Sequence, residues 1–169
     1  MQIEVMQGDI TQLAVDVVVN AANNRLAGGG GVDGAIHRAA GPELMRACQQ
    51  FDGCPTGEVR STPAFDLPAT RVFHTVGPVW QGGMSDEPEL LASCYRNCVA
   101  LALRDGFSSI AFPAISCGVY GYPADKAVKV AVKALQLFDE KQSSQLRVVF
   151  CCFDGDMAER YKRELECNF

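Results

Sequence analysis

A junction near the start of the chain constrains its fold most. Val15 to Val19 reads VDVVV, nearly continuous and β-branched, the pattern of a strand buried on both faces. It ends at Asn20 and passes through AANNRLAGGGGV into an apolar helix expected from about Asp33 to Ala40. A strand covered on both faces and followed by a helix points to layered α/β architecture. Between the two lie four consecutive glycines, Gly28 to Gly31. Glycine gives up more conformational freedom on folding than any other residue, so such a run implies that a ligand or another backbone comes very close.

A second loop has the same layout. Ser109 to Phe112 reads as a strand broken by Pro113; AISCGVYGYP follows from Ala114 to Pro123, and a helix is expected from Ala124 to about Glu140. Each loop leaves a buried strand and feeds a helix, which presents free backbone N–H groups suited to phosphate. In open α/β sheets ligands gather at the carboxyl ends of the strands, so two such loops can grip a diphosphate from both sides.

The remaining pattern agrees with one α/β domain over residues 1–169. Ile3 to Met6 is a strand candidate, followed by a turn in which Asp9 or Thr11 can cap. Pro42 starts a helix to about Gln50. Glu58 to Pro63 and Arg71 to Val76 form an expected antiparallel pair, and Gln81 to Pro88 a polar loop. Glu89 to Asp105 is helical, Leu146 to Phe153 a last buried strand, and a helix runs from Gly155 to about Glu166. Together these give a three-layer α/β protein with a mixed sheet.

Composition narrows the function. Apolar residues make up 48% and charged residues 21% of 169, as in ordinary soluble proteins. No apolar run approaches a membrane span and no secretory signal is visible, so a cytoplasmic location is expected. The net charge of −5 and the absence of a Lys/Arg run argue against nucleic acid as partner. Eight cysteines show no C-x-x-C pair and accompany only two histidines, which argues for reduced apolar side chains over a zinc site.

Gly29, Gly31 and Gly34 match G-x-G-x-x-G, but they lie well beyond the strand end and Asp52, the acid downstream, falls in a loop. A Rossmann hydride-transfer enzyme needs the glycines directly after the first strand and the acid at the end of a second strand, so that class is disfavoured. No G-x-S-x-G elbow is present. Cys117 has no histidine close in sequence to activate it. Asp33 is open to two readings, a helix cap or a carboxylate that orients water beside a phosphate-bearing ligand. Asn20 and Asn23 can tie the loop or meet a ligand hydroxyl; Tyr120 and Phe153 offer aromatic contacts, with core packing the default for Phe153. His37 and His74 read as structural.

Taken together, GDIT at Gly8–Thr11, NAAN at Asn20–Asn23, GGGVDGAIHRAAG at Gly29–Gly41, HTVGP at His74–Pro78 and PAISCGVYGYP at Pro113–Pro123 resemble the macrodomain family. Within it the chain is similar to bacterial O-acetyl-ADP-ribose deacetylases of the MacroD-type branch. That resemblance implies an α/β/α sandwich with ADP-ribose in a cleft at the strand ends, and no metal or cofactor. It implies that Asp9 accepts from the adenine amino group beside the Ile10 backbone, and that Phe153 stacks on adenine. Asn20 joins the binding set, while Gly31, Val32 and the loop Ser116, Cys117, Gly118, Val119 and Tyr120 wrap the diphosphate and distal ribose. It further implies that Asn23 hydrogen-bonds the distal ribose hydroxyls, that Tyr120 helps hold the distal ribose and the water, and that Asp33 orients or activates the attacking water. Small Thr- or Ser-like residues are frequent in relatives where this chain has Cys117. The implied reaction gives ADP-ribose and acetate, and related members also remove ADP-ribose from acidic side chains of proteins. A reader that binds ADP-ribose without turnover, or a module contacting a regulatory protein, is the alternative.

Overall fold

The computed structural model describes residues 1–169. Six strands form one sheet in the order β1-β6-β5-β2-β4-β3. These are β1 (Gln2–Gln7), β2 (Val17–Ala21), β3 (Val59–Pro63), β4 (Arg71–Thr75), β5 (Ser109–Phe112) and β6 (Arg147–Cys152). All pairs are parallel except β3 with β4, which places the one antiparallel strand at an edge. The expected mixed sheet and antiparallel pair are both present.

Alternation along β2 explains the layers. Val17 and Val19 point to one face, where they join Phe73, Ile110, Phe112, Val148 and Phe150 under three helices. Those helices are α3 (Glu87–Arg104), α4 (Ala124–Gln136) and α6 (Gly155–Asn168). Val18 points to the other face with Val72, Ala111 and Val149, beneath α1 (Gly31–Ala40) and α2 (Pro42–Cys48). The helices follow from periodicity. In α4, Val128, Ala131, Val132 and Leu135 are buried at i, i+3, i+4 and i+7; in α3, Leu91, Cys94, Tyr95, Cys98 and Val99 do the same.

Several boundaries differ from expectation for local reasons. β2 continues through Asn20 to Ala21, because pairing with β4 extends that far and matches Asn20 to His74. The helix expected to reach Glu140 stops at Gln136, and a separate short α5 (Glu140–Ser143) starts where Asp139 accepts from the Lys141 N–H. Phe153 lies one residue past β6 instead of within it. The polar loop ends early, since Glu87 already begins α3. No helix is long and apolar enough to cross a membrane.

Phe150 anchors the larger core, stacked on Tyr161 at a ring separation of 4.3 Å and edge-on to Tyr95 at 6.2 Å. Tyr95 and Tyr161 meet at their hydroxyls, 3.3 Å apart, which satisfies two polar groups inside an aromatic cluster. Truncating Phe150 leaves a cavity under α6 that its rigid neighbours cannot fill. Phe150→Ala is therefore expected to cost about 4 kcal/mol, measured as the shift in urea unfolding.

Candidate active site

Because the five paired parallel strands run the same way, their carboxyl ends share one edge of the sheet. The loops after β1, β2, β4, β5 and β6 all emerge there, and the two glycine loops sit side by side after adjacent β2 and β5. This is the cleft.

The β2–α1 loop is held by its own polar groups. Asn23 Nδ2 donates to the Gly28 carbonyl at 2.8 Å, and Asn23 Oδ1 accepts from the Ala27 N–H at 3.0 Å. Gly34 is fixed by close approach, because a Cβ there would run into the Gly29 carbonyl oxygen. Gly31 has φ of +59° and opens α1, where the N–H groups of the first turn have no partner within the helix. Gly30 is the residue before the helix and supplies no side-chain cap. Asp33 is the third helical residue and does not cap the helix, which removes the simpler of its two readings.

Asp33 is instead 6% exposed, with its two oxygens facing different surroundings. Oδ1 accepts from Asn20 Nδ2 at 2.8 Å and lies 3.4 Å from His37 Nε2, one helical turn on. Oδ2 turns toward the glycine loop. A Cβ at Gly29 would lie 3.5 Å from Asp33 Oδ2 and 4.0 Å from Asn23 Nδ2, so both groups border the same space beside Gly29.

Asn20, expected to meet ligand, is 0% exposed. Its Nδ2 serves Asp33 and also lies 3.1 Å from His74 Nδ1, so its side chain supports the carboxylate from within. Both histidines, read from sequence as structural, thus sit around Asp33. The His37 position has a sequence signal in its i, i+4 spacing from Asp33; His74, on β4, has none without strand pairing. Burial, with His37 nearby, pulls His74 down to about 4 against the opposing pull of Asp33, so its ring is neutral at pH 7.

The β5–α4 loop offers mainly backbone. Ser116 is buried with φ of +67°, and its hydroxyl donates to the Pro78 carbonyl at 2.8 Å. A non-glycine residue in that region costs roughly 1–2 kcal/mol, which tight packing on Gly77 holds in place. Gly118 and Val119 are exposed, and the Tyr120 carbonyl accepts from the Trp80 N–H at 2.8 Å. Burial pushes the Cys117 thiol up to about 11, so at neutral pH it is protonated and a poor nucleophile.

At the far end, the Gly8 N–H bonds the Cys152 carbonyl, which brings the β1 and β6 loops together. Phe153 is 93% exposed there, contrary to the core packing that is the default for phenylalanine. Nearby, Asp9 Oδ1 accepts from the Thr11 hydroxyl at 2.6 Å and the Thr11 N–H at 2.9 Å. These bonds hold its carboxyl below the usual range. Ile10 is buried under the turn.

One feature of the rim had no sequence signal. Glu87, 1% exposed, accepts from the Gln81, Gly83 and Ser85 N–H groups and so folds the β4–α3 loop back upon itself. Burial alone would raise its carboxyl, but the backbone donors more than cancel that and hold it at about 2. A depressed carboxyl contributes stability above its unfolded pKa and loses it as pH falls through the folded one. Thermal melts of wild type should therefore decline more steeply than those of Glu87→Gln between pH 4.5 and 2.

The fold defines an α/β/α sandwich domain whose two glycine loops emerge side by side at the carboxyl ends of adjacent strands. Residues 19–131 match the family model described as Macro domain, and the chain belongs to the macrodomain family. It is 54% identical to the O-acetyl-ADP-ribose deacetylase of Escherichia coli over 168 residues, covering 97% of this chain and 95% of that one. It is 55% identical to the enzyme of that name from Salmonella typhimurium over 168 residues, covering 97% and 94%. Among solved structures it resembles an Oceanobacillus iheyensis macrodomain with ADP, with TM-score 0.92, 43% identity and coverage of 98% and 90%. A Trypanosoma brucei macrodomain in complex with ADP-ribose gives TM-score 0.91, 45% identity and coverage of 97% and 69%.

Proposed function

We propose that this chain hydrolyses O-acetyl-ADP-ribose to ADP-ribose and acetate in the cleft at the strand ends. The observation that carries this reading is the division of the Asp33 carboxylate. Oδ1 is tethered inward by Asn20, while Oδ2 faces the opening beside Gly29 and Asn23. A carboxylate held this way can take a proton from water without losing its orientation. The relatives named as deacetylases, at 54% and 55% identity over nearly the whole chain, support the same activity. The solved relatives with ADP and ADP-ribose support the ligand class.

In the proposed reaction, water adds to the acetyl carbonyl as Asp33 Oδ2 accepts its proton. Collapse of the tetrahedral intermediate breaks the ester C–O bond, and the proton passes to the departing ribose oxygen. Asn23 holds the distal ribose with Tyr120, and the backbone of Gly31, Val32 and Ser116 to Tyr120 binds the diphosphate. No side chain of that loop takes part covalently, in keeping with the protonated Cys117 thiol. Asn20 acts on Asp33 and not on ligand.

Asp9 and Phe153 take the adenine end, the first through a carboxylate oxygen and the second through its open face. An ADP-ribosyl ester on an acidic side chain of a protein carries the same class of bond, an acyl ester of the distal ribose, and is a second substrate for the same site. Neither metal nor cofactor enters this scheme.

Asp33→Ala should lower kcat by roughly 100-fold or more while ADP-ribose still binds; product is followed by mass spectrometry and binding by calorimetry. Wild-type turnover in that variant would remove Asp33 from the chemistry. Intact ADP-ribose binding without turnover by the wild type would make the chain a reader of ADP-ribose. Phe153→Ala should weaken ADP-ribose by about 1–2 kcal/mol through lost stacking, read by the same titration; unchanged affinity would overturn the adenine assignment.

A further inference from the structure

Behind Asp33 a line of buried polar groups crosses three strands. Asn20 on β2 is paired in register with His74 on β4. His74 in turn lies diagonally across from Thr62 on the antiparallel edge strand β3, on the same face. The distances are hydrogen-bonding throughout: Asp33 Oδ1 to Asn20 Nδ2 at 2.8 Å, Asn20 Nδ2 to His74 Nδ1 at 3.1 Å, and His74 Nε2 to Thr62 Oγ1 at 2.9 Å. Thr62 Oγ1 closes the line by donating to the Pro63 carbonyl at 3.1 Å. Asn20, Thr62 and His74 are 0%, 2% and 1% exposed, so water does not compete for these bonds.

Each donor direction follows from its neighbour. A carboxylate only accepts, so the Asn20 atom facing Asp33 must be the amide nitrogen. That nitrogen has two hydrogens and no acceptor capacity, so the His74 Nδ1 beside it must carry a bare lone pair. A neutral ring with bare Nδ1 bears its proton on Nε2 and donates it to Thr62. The Thr62 hydroxyl, having accepted, spends its single proton on the Pro63 carbonyl. The other tautomer would set N–H against N–H at Asn20. The amide would then have to turn over and present its oxygen to the Asp33 carboxylate, which repels it.

We propose that Thr62 and His74 are positioning residues for the reaction: by fixing the His74 tautomer they lock the Asn20 amide and hold the Asp33 carboxylate in its working orientation from the far edge of the sheet. This rests on the reading of Asp33 as the group that activates water. Neither residue touches ligand. Cys48 Sγ, 3.6 Å from His74 Nε2, packs on the ring, and burial together with Asp33 keeps its thiol protonated. His37 lies at the Asp33 end of the network, its Nε2 3.4 Å from Asp33 Oδ1 and its ring centroid 6.4 Å from that of His74.

The test uses the whole chain, which is convenient because His37 and His74 are its only histidines. Imidazole ¹⁵N spectra at pH 7 should show His74 neutral with the proton on Nε2. Thr62→Val, nearly the same in shape but lacking the hydroxyl, should disturb that tautomer and shift the Asp33 carboxyl ¹³C resonance. It should lower kcat on O-acetyl-ADP-ribose by about tenfold or more, with KM and ADP-ribose affinity within twofold of wild type. Thr62→Ser, which restores the hydroxyl, should recover both the spectrum and kcat. His74→Phe, which fills the ring volume without an acceptor, serves where Thr62→Val does not fold and should show the same split of kcat from KM.

A wild-type His74 protonated on Nδ1, or a Thr62→Val protein with wild-type kcat and spectra, overturns the proposal. So does a loss of kcat that Thr62→Ser fails to recover. If wild type does not hydrolyse O-acetyl-ADP-ribose, the deacetylase reading falls. The ¹⁵N and ¹³C spectra, which need no substrate, then still decide whether Thr62 sets the orientation of Asp33.

Discussion

The Asp33 carboxylate lies at 6% exposure against the end of a parallel strand, where an ionised group is tolerated only if donors meet it. Asn20 supplies the closest one. To do so its amide must itself be held, and the register of β2 with β4 places His74 beside it. Much of the surrounding architecture follows from that arrangement. The first turn of α1 must lie over the end of β2, which requires the glycine loop to pass close beneath the helix. Gly34 permits this by leaving room for the Gly29 carbonyl. Packing of Ile36, Ala40 and Leu44 beneath α1 and α2 then fixes the helix against the sheet.

A second consequence concerns which atoms remain free. Interior tethers consume Asp33 Oδ1, one hydrogen of the Asn23 amide, the Ser116 hydroxyl and one oxygen of Asp9. What stays available at the cleft is Asp33 Oδ2, backbone N–H groups of the two loops, the outer oxygen of Asp9 and the face of Phe153. These run from a polar, carboxylate-bearing end to an aromatic one. A ligand with an ester-bearing sugar at one end, a diphosphate in the middle and a purine at the other matches that sequence of groups, which is why the reading as an ADP-ribose ester hydrolase is coherent in chemistry as well as in resemblance.

Local patterns make much of this legible in the sequence itself. The β-branched run at Val17–Val19 marks a two-sided strand, and the periodicity of α3 and α4 marks helices with one buried face. The paired glycine loops indicate an anion site, and their motifs carry the family. Three features stayed hidden because they depend on contacts distant along the chain. Asn20 looked available to ligand, since sequence does not show that β2 extends past it and buries it. His74 looked structural, since its neighbours Asn20 and Thr62 lie on two other strands. Glu87 falls in a polar stretch with no pattern that marks it, and three N–H groups from its own loop converge on it. The loop residues proposed to face ligand are therefore more legible in the sequence than the residues that hold them.

Loop strain and exposed apolar surface bear on how such a cleft can exist at all. Ser116 is kept in a left-handed conformation, and Phe153 and Val119 are left in water. Each lowers stability, and none is needed to form the sheet, whose core lies beneath. All three lie at the carboxyl ends of β5 and β6, the edge of the proposed site, whereas Phe65, also left-handed and exposed, lies in the β3–β4 connection. The opposing gain comes from the aromatic and aliphatic core under α3, α4 and α6, which is built from different residues and is independent of the cleft. Separation of this kind lets loop residues be chosen for backbone exposure and ligand contact while the sheet holds their starting points fixed. It also explains why the network behind Asp33 extends inward across the strands, where it is rigid, instead of outward through the loops.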